Sequence, residues 1–216
     1  METIRRPLKD HVYEHIAHQI DAGALSAGDR VSEQAISDAL GVSRTPVREA
    51  LIELACDGYL DNIPRRGFRV RGFDRQSARE VFEIIGPLDG QAAFLACPRL
   101  EDEDFAQLRF LIDSMDAAIG RGLVSRYDDL QREFHHTYAQ RSGNERLVGL
   151  LRQFERCFIK HGYETVDEPT GRALLQQAND EHRRILELLE ARDAAGARDY
   201  IRDVHWSVEN APFTAW

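Results

Sequence analysis

The sequence predicts a mainly α-helical chain of two parts. Three short helices and a β-hairpin come first, followed by an all-α antiparallel helical bundle. Three observations carry that prediction. Apolar residues recur at three-to-four spacing through most of the 216 residues, the period of a helix with one buried face. A single strand–turn–strand signal interrupts that spacing, over residues 59–71. The charge also changes texture near Gly72: residues 1–72 carry 10 basic and 11 acidic side chains, residues 73–216 carry 18 and 26. Domains are therefore expected at 1–72 and 73–216.

At 43% hydrophobic and 30% charged, the chain can bury a core and is not disordered by composition. Its net charge of -9 excludes a protein that coats nucleic acid or membrane through bulk positive charge. The total hides a local pattern. Between Asn62 and Phe73 stand Arg65, Arg66, Arg69 and Arg71 with no acid, and Lys9 and Lys160 are the only lysines in the chain. Cys56, Cys97 and Cys157 are scattered singly without CxxC spacing, which points to a reduced protein with three small buried hydrophobes. No apolar stretch near the start suggests a signal peptide, and none approaches the roughly 18 residues of a membrane span. A cytoplasmic protein with no membrane partner is the expectation.

The first helix follows from Leu8, Val12, Ile16 and Ile20, and stops at Ala22-Gly23. Ser32 precedes a second, with Ala35, Ile36 and Leu40 inward and Gly41 ending it. Ser43 is an N-cap for a third helix from Arg44 to about Asp57, with Pro46 in the first turn, where a missing N–H costs nothing. Tyr59–Ile63, Pro64–Gly67 and Phe68–Arg71 then form strand, turn and strand. In the second part, helices are expected over about 75–97, 102–119, 125–141, 144–161, 171–191 and 194–210. Pro98, Gly120–Gly122, Ser142-Gly143 and Pro169–Gly171 separate them. Leu174, Leu175, Ala178, His182, Ile185, Leu186 and Leu189 mark one buried face, and Pro87 falls inside the first of these helices.

Three short helices and an arginine-tipped hairpin outline a winged helix-turn-helix, whose physics suits duplex DNA. The third helix points its N–H groups and positive dipole end outward, where Ser43 and Thr45 can bind phosphate. Arg44 and Arg48 lie four apart on one face and can reach base edges, a bidentate arginine–guanine pair contributing ~1–3 kcal/mol of discrimination. Arg65 and Arg66 at the wing tip can enter a minor groove, with Gly67 allowing the tight turn.

The stretch Gly41-Val42-Ser43-Arg44-Thr45-Pro46-Val47-Arg48-Glu49-Ala50-Leu51 resembles the recognition-helix signature of the GntR family of bacterial transcription regulators. Ala27–Glu33, Gly58-Tyr59-Leu60 and Arg66–Val70 extend the resemblance over about sixty residues. It implies that Ser43, Arg44, Thr45 and Arg48 contact phosphates and bases and that Arg66-Gly67 form the wing tip. It also implies a homodimer on a palindromic double-stranded operator. Gln34 stands where the fatty-acid-responsive member has a DNA-contacting arginine.

Val81-Phe82-Glu83, Phe134-His135, Gly143-Asn144, Glu181–Leu186 and Val204-His205 resemble the FCD type of ligand-sensing bundle, found in the FadR-like subfamily. Of the eight histidines, His11, His15 and His18 share an exposed helix face, and His136 and His161 lack obvious partners. His135, His182 and His205 fall at core-facing positions of three different helices. In metal-binding FCD proteins the corresponding histidines join an aspartate four residues before the first; here Gln131 holds that position, a candidate weak fourth ligand or effector contact. Three imidazoles with an open position suit a divalent ion, Zn²⁺ or Ni²⁺ before Mn²⁺; a metal-free polar pocket is the alternative. No organic cofactor is expected. The open position implies a small organic acid as effector, although Ile85 replaces an arginine that many FCD sensors carry.

The function expected is therefore a ligand-responsive transcription regulator, a repressor of a metabolic operon, and not an enzyme. A metal-dependent enzyme built on the three histidines is the rival reading, but the sequence has no HExxH, no nucleophile elbow and no general base beside them. An effector-free dimeric DNA-binding protein is the third.

Overall fold

The computed structural model describes residues 7–21, 24–56, 58–71, 75–155 and 168–210; Ala22-Gly23, Cys157, Lys160 and His161 lie outside them. The chain divides into two compact units between residues 74 and 75. In the first, α1 (Leu8–Asp21), β1 (Arg30–Val31), α2 (Glu33–Leu40), α3 (Arg44–Cys56), β2 (Leu60–Ile63) and β3 (Gly67–Val70) follow in order. Val12, Ile16 and Ile20 of α1 are fully buried against Val47, Leu51 and Leu54 of α3, Ile36 of α2, and Leu60, Phe68 and Val70 of the sheet. Leu8 and Ala35 depart from expectation. Leu8 opens α1 one turn before the core begins and is 50% exposed, and Ala35 lies on the solvent side of α2.

The turn between α2 and α3 is fixed at both ends. The Ser32 hydroxyl accepts from the Ala35 N–H at the start of α2. At its end Gly41 adopts φ 64°, a left-handed conformation, and its N–H bonds the Ser37 carbonyl, so α2 stops there. Ser37 Oγ then donates to the Val42 carbonyl at 2.5 Å, and α3 starts two residues on. The predicted hairpin is present, with Leu60 opposite Val70 and Ile63 opposite Gly67. It is joined by β1 on the far side of β3, giving the order β1-β3-β2. Two residues are too few to show a strand's alternation in a sequence, so β1 escaped the sequence reading.

The second unit contains α4 (Arg75–Ala96), a 3-10 turn (Cys97–Arg99), α5 (Asp102–Gly120), α6 (Val124–Gln140), α7 (Glu145–Glu155), α8 (Glu168–Glu190), α9 (Ala194–Tyr200) and a π-helical turn (Ile201–His205). α5 packs on α6 and α8, while α4 packs on α6, α7, α9 and the π turn. α8 begins at Glu168, so the predicted break at Pro169–Gly171 is its first turn, where proline is tolerated. The final predicted helix is α-helical only to Tyr200; the Trp206 N–H then reaches the Ile201 carbonyl, five residues back, at 2.9 Å. α4 runs through Pro87, whose side is exposed. Cys97 is buried as expected, but Cys56, at the end of α3, is exposed. No helix among the described residues is long and apolar enough to cross a membrane.

α4 meets the chain's last helical turns at two glycines. A Cβ built on Gly90 would stand 2.6 Å from the Arg198 carbonyl oxygen, and one on Gly86 would stand 3.0 Å from Trp206 Cβ and 3.3 Å from the Arg202 carbonyl oxygen. Gly149 of α7 has nothing within 4 Å of such a Cβ. Alanine in a helix gains about 1 kcal/mol over glycine, whereas forcing atoms into a packed contact costs about 1–3 kcal/mol. Gly149→Ala should therefore raise the melting temperature and Gly90→Ala should lower it in the same thermal denaturation experiment.

Candidate nucleic-acid interface and metal centre

The first unit brings the predicted DNA-contacting residues to its surface. Ser43 and Thr45 are exposed at the start of α3, and Arg44 and Arg48 project from it. Two side chains of α2 engage these arginines. Arg44 Nη2 donates to Gln34 Oε1, and the Gln34 amide donates in turn to Asp38 Oδ1 at 2.6 Å. Arg48 stands 4.0 Å from Glu33 with its side chain 70% exposed. Exposed pairs of this kind contribute about 0–1 kcal/mol, so they orient the guanidinium groups without withholding them from a phosphate or a base. At the wing, Arg65 adopts φ 64° and Gly67 φ 83°, and the Arg66 N–H closes the turn on the Ile63 carbonyl at 2.9 Å. Arg65 and Arg66 are both exposed. His11 and His18 lie on the exposed side of α1, and His15 bonds Gln19 at 3.1 Å.

In the second unit, His135 of α6, His182 of α8 and His205 of the π turn converge. All three are buried, and their ligand nitrogens lie within 4.8 Å of one another. His135 Nε2 is 3.2 Å from His182 Nε2 and 3.2 Å from His205 Nε2. Nitrogen–metal bonds of roughly 2.0–2.1 Å in a tetrahedral zinc site put the nitrogens about 3.3 Å apart, so the spacing fits. The far side of two rings is occupied by carboxylates. His135 Nδ1 donates to Asp89 Oδ2 at 2.8 Å, and His205 Nδ1 donates to Glu181 Oε2 at 2.9 Å. A carboxylate only accepts, so both Nδ1 atoms carry a proton and each ring turns its Nε2 inward. Two lone pairs facing each other across 3.2 Å repel unless a proton or a cation lies between them. That donor set, with imidazoles held from behind by carboxylates, is the arrangement in which histidines bind metals.

Electrostatics supports the same conclusion. Burial, and then the neighbouring His205 and His135, push the His182 imidazole well below its usual range. Burial also lowers His205, against the opposing pull of Glu181. Both rings are neutral near neutral pH, as metal ligation requires. Burial would raise the Asp89 carboxyl, but the His135 imidazole and hydrogen bonds from His135, Trp206 and Tyr138 together hold it below the usual carboxylate range. The latter two reach it as Trp206 Nε1 to Oδ2 at 2.8 Å and Tyr138 Oη to Oδ1 at 2.7 Å. His182 Nδ1 is buried without a hydrogen-bond partner among the described residues, as is Oδ1 of Asn179 one turn earlier on α8.

Gln131 is buried one turn before His135, on the same face of α6. His136, which offered no partner in the sequence, accepts from Arg152 Nε at 2.8 Å on the surface of α6. Asp89, Tyr138, Glu181 and Trp206 were missed as functional residues. One signal was available: Asp89 is the lone acid in the mostly apolar run Ile84–Ala96 of α4.

Comparison with known proteins bears on both units. The family model for bacterial regulatory proteins of the gntR family matches residues 8–70, and the FCD domain model matches residues 80–204. The chain is 27% identical over 199 residues to the HTH-type transcriptional regulator McbR of Escherichia coli (strain K12), covering 89% of this chain and 87% of that protein. It is 29% identical over 193 residues to a protein of Paenarthrobacter nicotinovorans named "Probable D-xylose utilization operon transcriptional repressor", covering 88% and 81%. The solved structure of E. coli McbR/YncC superposes with a TM-score of 0.78 at 24% identity, covering 97% of this chain and 98% of that one, and so shares the fold.

Tyr138→Phe removes one of the donors to a carboxylate that is only 2% exposed. Leaving a buried acceptor short of a partner costs about 1–3 kcal/mol. Urea denaturation of the chelator-treated variant should show a loss of that size.

Proposed function

This chain belongs to the GntR family of bacterial regulatory proteins, in the branch that carries an FCD domain, and from that premise we propose how a transcription regulator of this kind works here. Residues 1–72 read a double-stranded operator, and residues 73–216 bind an effector and join two copies into a homodimer on a palindromic site. Ser43 and Thr45 hold phosphates at the dipole end of α3. Arg44 and Arg48 read base edges in the major groove, and Arg65, Arg66 and Gly67 carry the wing to the adjacent groove. The relatives' names support repression of a metabolic operon.

The observation that carries the sensing half is the inward-facing set of three Nε2 atoms, fixed from behind by carboxylates. His135, His182 and His205 hold a divalent metal, with Gln131 as a weak fourth ligand or an effector contact. With no carboxylate among the direct ligands, Zn²⁺ or Ni²⁺ is favoured over Mn²⁺. When bound, the metal offers an electrophilic position to the oxygen donor of a small effector, an organic acid in the simplest case. Ile85, which stands where many FCD sensors carry an arginine, is buried at 1% exposure and offers such an effector no charge. An effector that prefers one arrangement of the bundle then shifts operator occupancy; coupling of ~1–3 kcal/mol changes affinity roughly 5- to 150-fold.

Two measurements test this. Selection from a random duplex library yields the operator, and at fixed salt Arg44→Ala and Arg48→Ala should each weaken binding by about 1–3 kcal/mol and relax base preference at one position. Unchanged affinity in both would remove α3 from the interface. Elemental analysis of protein purified without chelator should find zinc or nickel in wild type and none in His182→Ala.

A further inference from the structure

The predicted cage lacks something that a dication needs. Three neutral imidazoles contribute no charge, and Gln131, an amide, contributes none where a direct aspartate would supply one. Yet two buried carboxylates stand immediately behind the rings. Asp89 Oδ2 lies 2.8 Å from His135 Nδ1, and Glu181 Oε2 lies 2.9 Å from His205 Nδ1; the two residues are 2% and 8% exposed. They come from different elements, α4 and α8, so their arrival on two rings of one cage is not a consequence of helical spacing. Among the described residues, neither is paired with an arginine. Asp89 accepts from a tyrosine, a tryptophan and a histidine. Two carboxylates are thus buried behind the rings, and a dication held by the three histidines would face both.

We propose that Asp89 and Glu181 are positioning residues that turn the Nε2 atoms of His135 and His205 inward and supply, from the outer sphere, the negative charge that Gln131 does not. This rests on the reading of the three histidines as metal ligands. It makes the site dependent on residues that do not touch the ion: removing either carboxylate lowers the basicity of its ring, frees the ring to take the other tautomer and leaves the dication undercompensated. Outer partners of this kind change metal affinity by roughly 10- to 100-fold.

The test uses the full-length protein, stripped with chelator and titrated with Zn²⁺ against a chromophoric competitor. Asp89→Asn and Glu181→Gln are close to isosteric, and each should weaken zinc binding about 10- to 100-fold. Far-UV circular dichroism verifies that each variant is folded. Adding Gln131→Asp to Asp89→Asn places a carboxylate directly on the ion and should recover at least about tenfold of the loss. Compensation of charge shows as a larger gain from Gln131→Asp in Asp89→Asn than in wild type; a merely structural defect gives equal gains. The proposal is overturned if both single variants bind zinc as wild type does. It is overturned equally if Gln131→Asp recovers nothing in Asp89→Asn while Glu181→Gln binds normally. His135→Ala and His182→Ala separate the two levels. If they lose zinc while the carboxylate variants keep it, the outer-sphere role fails and the metal site stands. If they also bind as wild type, the metal reading itself falls.

Discussion

A carboxylate buried at 2% exposure is a demanding tenant, and the second unit is arranged to meet the demands of Asp89. Taking an ionised carboxylate out of water costs several kcal/mol, and a hydrogen bond to a charged group returns about 1.5–3 kcal/mol. One donor would not offset the burial; three can. They come from His135 and Tyr138, one turn apart on α6, and from Trp206 beyond the π turn. The arrangement couples α4, α6 and the end of the chain's last helix through a single side chain. The helix that delivers His205 and Trp206 ends in a π turn at Ile201–His205. From that turn His205 faces the cage and the next residue, Trp206, reaches Asp89.

The first unit solves a different electrostatic problem. A chain of net charge -9 must still present a cationic face to DNA, and it does so by placement. Arg44, Arg48, Arg65 and Arg66 are exposed at the start of one helix and the tip of one hairpin, where the helix dipole adds to them. Gln34 and Glu33 lie alongside the first two. Arg44 and Arg48 are thereby held in weak, exposed contacts that limit their rotamer freedom.

Much of this was legible in the sequence, because the signals were periodic or local. Ser32, Gly41 and Gly67 punctuate the first unit through capping and backbone preferences that operate within a few residues. The face of α8 appeared in Leu175, His182, Ile185 and Leu189, all buried. The three histidines were recognisable as a set because each sat in an apolar setting. What lay beyond reach depended on partners distant in the chain. Asp89 and His135 are 46 residues apart, and Asp89 and Trp206 are 117 apart; no local pattern pairs them. Leu8 and Cys56 were assigned to the core by their own hydrophobicity, but an apolar side chain on the surface breaks no rule. The π turn left no trace because nothing in Ile201–His205 differs in composition from an ordinary helix.

Gly86 and Gly90 bracket Asp89 on α4, and both touch the backbone or Cβ atoms of the segment Arg198–Trp206. The depth at which the buried acid sits is therefore set by two side chains that are not there. Hydrogen atoms at these positions act as spacers of minimum thickness, and any enlargement pries apart the two segments that the acid bridges. Substitutions at Gly86 and Gly90 would accordingly disturb Asp89 and the histidines around it without touching any of their side chains.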